Sequence, residues 1–198
     1  MNDSSVVQLI MGIGVGVSLA AACGFRVFVP LLVVSLAVHF GGFHVNESFE
    51  WVGSWMAIVV LSTATTIEVL GYYIPWVDNL LDVLNTPLAL VAGAMVTCGM
   101  LPNLHPSLKW GIAVVLGGGV AGLVQSATSI IRGGSTATTG GLGNFLVSTG
   151  ENVCAVLIAV FAVVLPIIAI VLILIALTIA VKVIARSVAM VSKHQPDA

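Results

Sequence analysis

Arg132-Gly-Gly-Ser-Thr-Ala-Thr-Thr-Gly-Gly-Leu-Gly-Asn-Phe-Leu-Val-Ser-Thr-Gly-Glu151-Asn152 is the stretch on which the reading of this chain turns. It separates two long apolar segments, opens on an arginine, closes on a glutamate and is rich in Gly, Ser and Thr. Around it, 59% of the 198 residues are hydrophobic and 7% are charged, against about a quarter charged in an ordinary soluble domain. Apolar runs near 20 residues recur on both sides, the length that crosses about 30 Å of hydrocarbon. The fold class is therefore all-α, a polytopic transmembrane helical bundle forming one domain over residues 1–198.

Six spans are expected, at about 6–23, 27–40, 51–73, 87–101, 109–131 and 153–184. The first two come from one apolar run broken at Gly24-Phe25-Arg26, too long for one crossing and about right for two joined by a tight turn. Gly12, Gly14, Gly16, Ser18 and Ala20 give the first helix a small face on which another helix packs closely. Trp51 and Trp55 read as interface anchors after the polar connector 41–50. Pro75 to Asn85 reads as a short amphipathic helix in the interface, with Asp78 and Asp82 stacked four apart and Leu80 and Leu84 on the other side. Pro166 either kinks one long last helix or divides it into a half-span and a full span.

The basic tail, with Lys182, Arg186, Lys193 and His194, is expected in the cytoplasm of a cell whose inner membrane holds the protein. Six crossings then put both termini inside and gather Arg26, Glu68 to Asp82 and Arg132 to Glu151 toward the outer face. The first residues hold no Lys or Arg, so the first apolar run is expected to stay in the mature protein. A weak repeat is visible: Gly12-Ile-Gly14-Val-Gly16 precedes Arg26 much as Gly117-Gly-Gly-Val-Ala-Gly122 precedes Arg132, a pattern reminiscent of the repeated halves of transporters.

Charges inside a membrane are expensive and face a protein interior or a polar cavity. Arg26, Glu68, Arg132 and Glu151 are the candidates to line such a site, with Asp78 and Asp82 near its mouth. The alternative for the four is a set of interfacial ion pairs, and for the aspartates a solvated helix face. Ser135, Thr136, Thr139 and Asn144, with glycine-freed amides and Arg132, suit an anion such as a lipid phosphate; the same stretch is also a plain outer loop. No Lys follows the glycines, so the stretch does not match a nucleotide-binding phosphate loop and nucleotide hydrolysis is unsupported. Cys23, Cys98 and Cys154 and the four histidines are scattered without ligand spacing, so no metal, cofactor or disulfide is expected, and no acid, base and nucleophile set suggests an enzyme. A net charge of −2 offers no surface for nucleic acid.

Glu68, the run Ile74-Pro75-Trp76-Val77-Asp78-Asn79-Leu80-Leu81-Asp82 with Pro87, the run Ser135 to Asn144 with Ser148 and Glu151, and Gly24-Phe25-Arg26 with Pro30 resemble the bacterial membrane-protein family catalogued as domain of unknown function 4126. The likeness covers about residues 10–165. The family pattern has a proline after the asparagine matching Asn144 and an arginine before Pro87, where this chain has Phe145 and Thr86. The resemblance assigns no activity; it implies that the acidic motif and the Gly/Ser/Thr stretch belong to one site. The expected partners are the lipid bilayer, a small ion or solute or an anionic lipid headgroup, and a second copy of the chain through the glycine faces. The functional expectation is a small transporter or channel for an ion or solute, with a non-catalytic structural or lipid-headgroup-binding membrane protein as the alternative.

Overall fold

The structure, a computed structural model, describes residues 3–74 and 77–193; Pro75 and Trp76 of the expected turn and His194 of the basic tail lie outside the described residues. The described residues are helical without a strand. The elements are α1 (Asp3–Phe25), α2 (Phe28–His39), a 3-10 segment (Glu47–Gly53), α3 (Trp55–Gly71), α4 (Val77–Met100), α5 (Pro106–Ile112), a π-helical segment (Ala113–Gly118), α6 (Gly119–Thr139), α7 (Asn144–Val164) and α8 (Pro166–Lys193).

Four stretches are long and apolar enough to cross a membrane: Ser5–Phe25, Val77–Met100, Pro106–Thr139 and Asn144–Val164. A fifth is present if the bent pair of the 3-10 segment and α3 counts as one span. The six expected spans are thus corrected to four or five among the described residues. The tight turn at Arg26 is present, but α2 has 12 residues and rises about 18 Å, well short of a bilayer core.

Three boundaries differ from the expectation. The expected break before Pro87 is absent: α4 runs through it for 24 residues. A proline inside a helix frees the carbonyl four residues earlier, here that of Val83, and membrane helices tolerate such an interruption. The stretch 132–152 is not a loop. α6 continues to Thr139, Gly140 (φ 65°) and Gly141 (φ 92°) take the left-handed backbone that glycine adopts without strain, and α7 starts at Asn144. The run 153–184 is likewise two helices, broken at Leu165 and not one kinked rod. α8 folds back, since Ile175, Ile179 and Ala180 share a cavity wall with Cys154, Leu157 and Ile158 of α7.

The helices run alternately between two ends. Residues near Ser5, Asn46 and Leu101 share a cleft at one end. Arg26, Glu68, Asp78, Arg132 and Glu151 meet at the other. Among the described residues, Ser5 lies by the cleft at the first end, while Ala180 lines a cavity with Phe25, Ile131 and Cys154 toward the charged end.

Glycine sets the middle. A Cβ on Gly12 would lie 2.6 Å from the Met100 carbonyl oxygen, and one on Gly24 would lie 2.6 Å from that of Ala121. Gly93 faces Gly117 with the same intimacy, 2.7 Å from its carbonyl oxygen, where the π-helical segment crosses α4. The small face read on α1 therefore packs on α4 and α6, and Thr97 donates to the Gly16 carbonyl at 3.0 Å across the seam.

Candidate functional site

The polar end is built by helix termini. α1 ends at Phe25 and α2 begins at Phe28, so the break leaves backbone amides of Val27 and Phe28 without intrahelical partners. Glu68, three residues before the end of α3, supplies them: Val27 N donates to Oε1 at 2.8 Å and Phe28 N to Oε2 at 3.0 Å. A carboxylate from one helix thus caps the N-terminus of another, where the helix dipole favours negative charge. Asn85 adds a third donor to Oε1 at 3.0 Å.

Arg26 and Arg132 converge on one carboxylate oxygen. Nη1 of each lies 2.9 Å from Glu151 Oε2. Arg132 Nη2 pairs with Asp82 Oδ1, while Arg26 donates from Nε to Asn152 Oδ1 at 2.6 Å and from Nη2 to the Ser148 carbonyl at 3.3 Å. Both guanidinium groups lie over the ring of Tyr72, at 3.8 and 4.3 Å from its centroid, a contact that strengthens when both partners are desolvated. The Tyr72 hydroxyl donates to Asp82 Oδ1 at 3.1 Å and accepts from Asn85 at 3.0 Å. At the edge, the Asn144 amide donates to Asp78 Oδ2 at 2.7 Å and to the Thr136 hydroxyl at 2.9 Å.

The cluster is deeply buried. Arg26 is 0% exposed, Arg132 1%, Glu68 2%, and Asp78 and Glu151 5% each. Its charges balance by position: Asp82 and Glu151 answer the two arginines, Glu68 sits on the α2 N-terminus, and Asp78 sits in the first turn of α4 with an amide against it. Within the cluster, Arg132 Nε, Asn144 Oδ1, Ser148 Oγ and Glu151 Oε1 have no hydrogen-bond partner among the described residues.

Of the residues singled out in the sequence, Arg26, Glu68, Asp78, Asp82, Arg132, Asn144 and Glu151 come together, and Thr136 joins through Asn144. Asp78 and Asp82 turn inward; Leu80, Val83 and Leu84 are the exposed face of α4. Ser135 and Thr139 stand apart from the ion pairs: the Thr139 hydroxyl donates to the Ser135 carbonyl at 2.7 Å and receives Gly143 N at 2.9 Å, which closes the α6–α7 turn. Hydroxyls engaged in this way, with Gly133 and Gly134 inside a helix, do not form the anion nest that a loop would offer.

Tyr72, Asn85 and Asn152 complete the cluster without standing out in the sequence, although two of them carry a signal there. Asp78, Asp82 and Asn85 fall at i, i+4 and i+7, and Asn144, Ser148 and Glu151 repeat that spacing with Asn152 beside them; either pattern is a polar stripe on one helix face. Tyr72 gives none, since a tyrosine near a helix end reads as an interface anchor.

Comparison with curated proteins and with solved structures returned no match. A family model did match, spanning residues 13–186 and described as a domain of unknown function (DUF4126). A match over most of the chain, carried by a helical bundle whose Gly24-Phe25-Arg26, Glu68 to Asp82 and Ser135 to Glu151 motifs meet at one end, makes this protein a member of the DUF4126 family.

Proposed function

We propose that this protein is a small transporter or channel for an ion or solute, with the ionic cluster at one end of the bundle as its polar site. The observation that carries this reading is the set of unpartnered buried atoms on Arg132, Asn144, Ser148 and Glu151. A clamp whose only task is to hold helices is expected to satisfy its buried polar groups, since each one left unmatched costs about 1–3 kcal/mol. Atoms left open inside an ionic network are a capacity to bind something polar. At the opposite end, a cleft of about 790 Å³ lined by Gln8, His44, Asn46, Glu47 and Asn103 offers a polar approach to the bundle.

We also propose an orientation that differs from the expected one. Lys182 and Arg186 follow Ala180 at the end that holds the cluster, so the positive-inside tendency sets the cluster toward the cytoplasm and the N-terminus on the far side.

The test is flux through vesicles containing the purified protein, challenged in turn with H+, K+, Na+ and Cl− gradients. The expected result is a leak above protein-free vesicles for at least one ion, changed several-fold by Glu151→Gln. Wild-type vesicles as tight as protein-free ones toward all four would remove the ion reading.

One observation favours the second reading, a non-catalytic structural membrane protein: Glu68 spends both oxygens on backbone amides of α2 and so serves as a permanent cap. On that reading Glu68→Gln lowers thermal stability while flux stays at background throughout.

A further inference from the structure

Glu151 differs from the other carboxylates of the cluster. Glu68 has both oxygens occupied by Val27 N, Phe28 N and Asn85. Asp78 has Oδ1 on Asn79 N and Oδ2 on Asn144. Asp82 also gathers Arg132 and the Tyr72 hydroxyl on Oδ1, but its side chain is 16% exposed and its other oxygen is not among the buried unmatched atoms. Glu151 places both arginines on Oε2 and leaves Oε1, buried, with no hydrogen-bond partner among the described residues.

That oxygen has company on its own helix. Asn144, Ser148 and Glu151 occupy one stripe of α7, and each carries an unpartnered oxygen while being at least nine-tenths buried. Successive positions rise by about 6 Å and then about 4.5 Å along the helix. One water molecule bridges two oxygens up to about 5.5 Å apart, so by backbone rise the Ser148 to Glu151 step is within reach of a single water and the longer Asn144 to Ser148 step takes a second. Polar, buried and unmatched groups are what interior water binds. The stripe begins at the Gly140 to Gly143 turn, where Gly140 and Leu142 are exposed, and ends at the residue that holds both arginines.

We propose that Asn144, Ser148 and Glu151 form a proton path, a file of water-bridged oxygens that delivers a proton from the α6–α7 turn to Glu151 Oε1. The proposal rests on the transport reading and names its coupling ion. In the transfer step a hydronium ion gives its proton to Oε1 and remains as water; the carboxylate becomes a carboxylic acid and the cluster gains one positive charge. The groups that face Glu151 determine how the cluster responds. From the α1–α2 break comes Arg26, from α6 Arg132, from α4 Asp82 and Asp78, from the end of α3 Glu68 and Tyr72, and from α7 itself Cys154. Arg132 keeps Asp82. Arg26 loses its one ion pair and retains Asn152, two carbonyls and the Tyr72 ring. Protonation therefore loosens the turn between α1 and α2 first, and Glu151 acts as the latch.

The experiment is infrared difference spectroscopy on the full chain in lipid vesicles, stepping the pH downward. The expected result is a carboxylic-acid carbonyl band that disappears in Glu151→Gln and returns, shifted, in Glu151→Asp. In Ser148→Ala, which deletes one oxygen without touching an ion pair, the band persists but grows roughly tenfold more slowly after the pH step, the factor one lost hydrogen bond carries. A band unchanged in Glu151→Gln, or Ser148→Ala kinetics equal to wild type, overturns the proposal, and the second result does so even if Glu151→Gln fails to fold. A wild-type band with no ion flux in vesicles would reject transport and leave the proton path standing; flux without the band would do the reverse.

Discussion

The middle of the bundle and its charged end are both buried, yet they tolerate change in opposite ways. In the middle, Gly12, Gly24, Gly93 and Gly117 bring backbones so close that an added methyl group collides with a carbonyl oxygen. At the charged end, two arginines share one carboxylate oxygen while Glu151 Oε1, Ser148 Oγ and Arg132 Nε go without a hydrogen bond among the described residues. The seam is held by close contact, and the cluster is held by charges with some hydrogen-bonding groups left unmatched. Packing with no slack makes a scaffold; a network with open valences makes a switch.

The comparison is easiest to break at the seam. Gly117→Val drives its side chain into Thr97 Oγ1 and the Gly93 carbonyl, and a loss of about 3 kcal/mol or more is expected, read as loss of monodisperse protein in detergent. A variant that folds normally would show that α4 and the π-helical segment can separate there. Next comes Arg26→Met. It removes one of the two charges on Glu151 Oε2 and should cost about 3 kcal/mol, measured by thermal unfolding in detergent. Wild-type stability in this variant would mean that the cluster contributes nothing to holding the fold.

Glu68→Gln is smaller. One oxygen of the amide still accepts a backbone N–H, but its NH2 faces the other donor, so about 1–3 kcal/mol is expected from the same assay. An unchanged melting temperature would remove Glu68 as the cap of α2. Gly133→Ala sharpens the contrast from the other direction. Gly133 lies inside α6 with nothing within 4 Å of its Cβ position, so alanine should stabilise by up to about 1 kcal/mol. Destabilisation there would show that glycine is needed on that face for a partner.

Much of the architecture is legible locally. The apolar content, the run lengths and the small face of α1 follow from single segments. So does the cost of a charge in a membrane, which is enough to select Arg26, Glu68, Arg132 and Glu151 as candidates. The helical character of 132–152 is hidden because Gly, Ser and Thr have low helix propensity; in α6 the hydroxyls bond back to carbonyls, as Thr138 does to Gly134 at 2.9 Å, and the helix persists. Pro87 misleads for a related reason: its effect on a helix depends on what surrounds it.

By itself, then, the amino-acid order determined that this is a membrane-embedded helical bundle of the DUF4126 family, and which few charges lie within it. Composition and period are properties of each segment alone. Only the tertiary structure decided that Glu68 caps a helix about 40 residues away in sequence, that both arginines meet on one oxygen of Glu151 over Tyr72, and that α8 folds back along α7. Those outcomes depend on which helix ends come to lie side by side, and that is set by glycine contacts between distant segments, which no local pattern encodes.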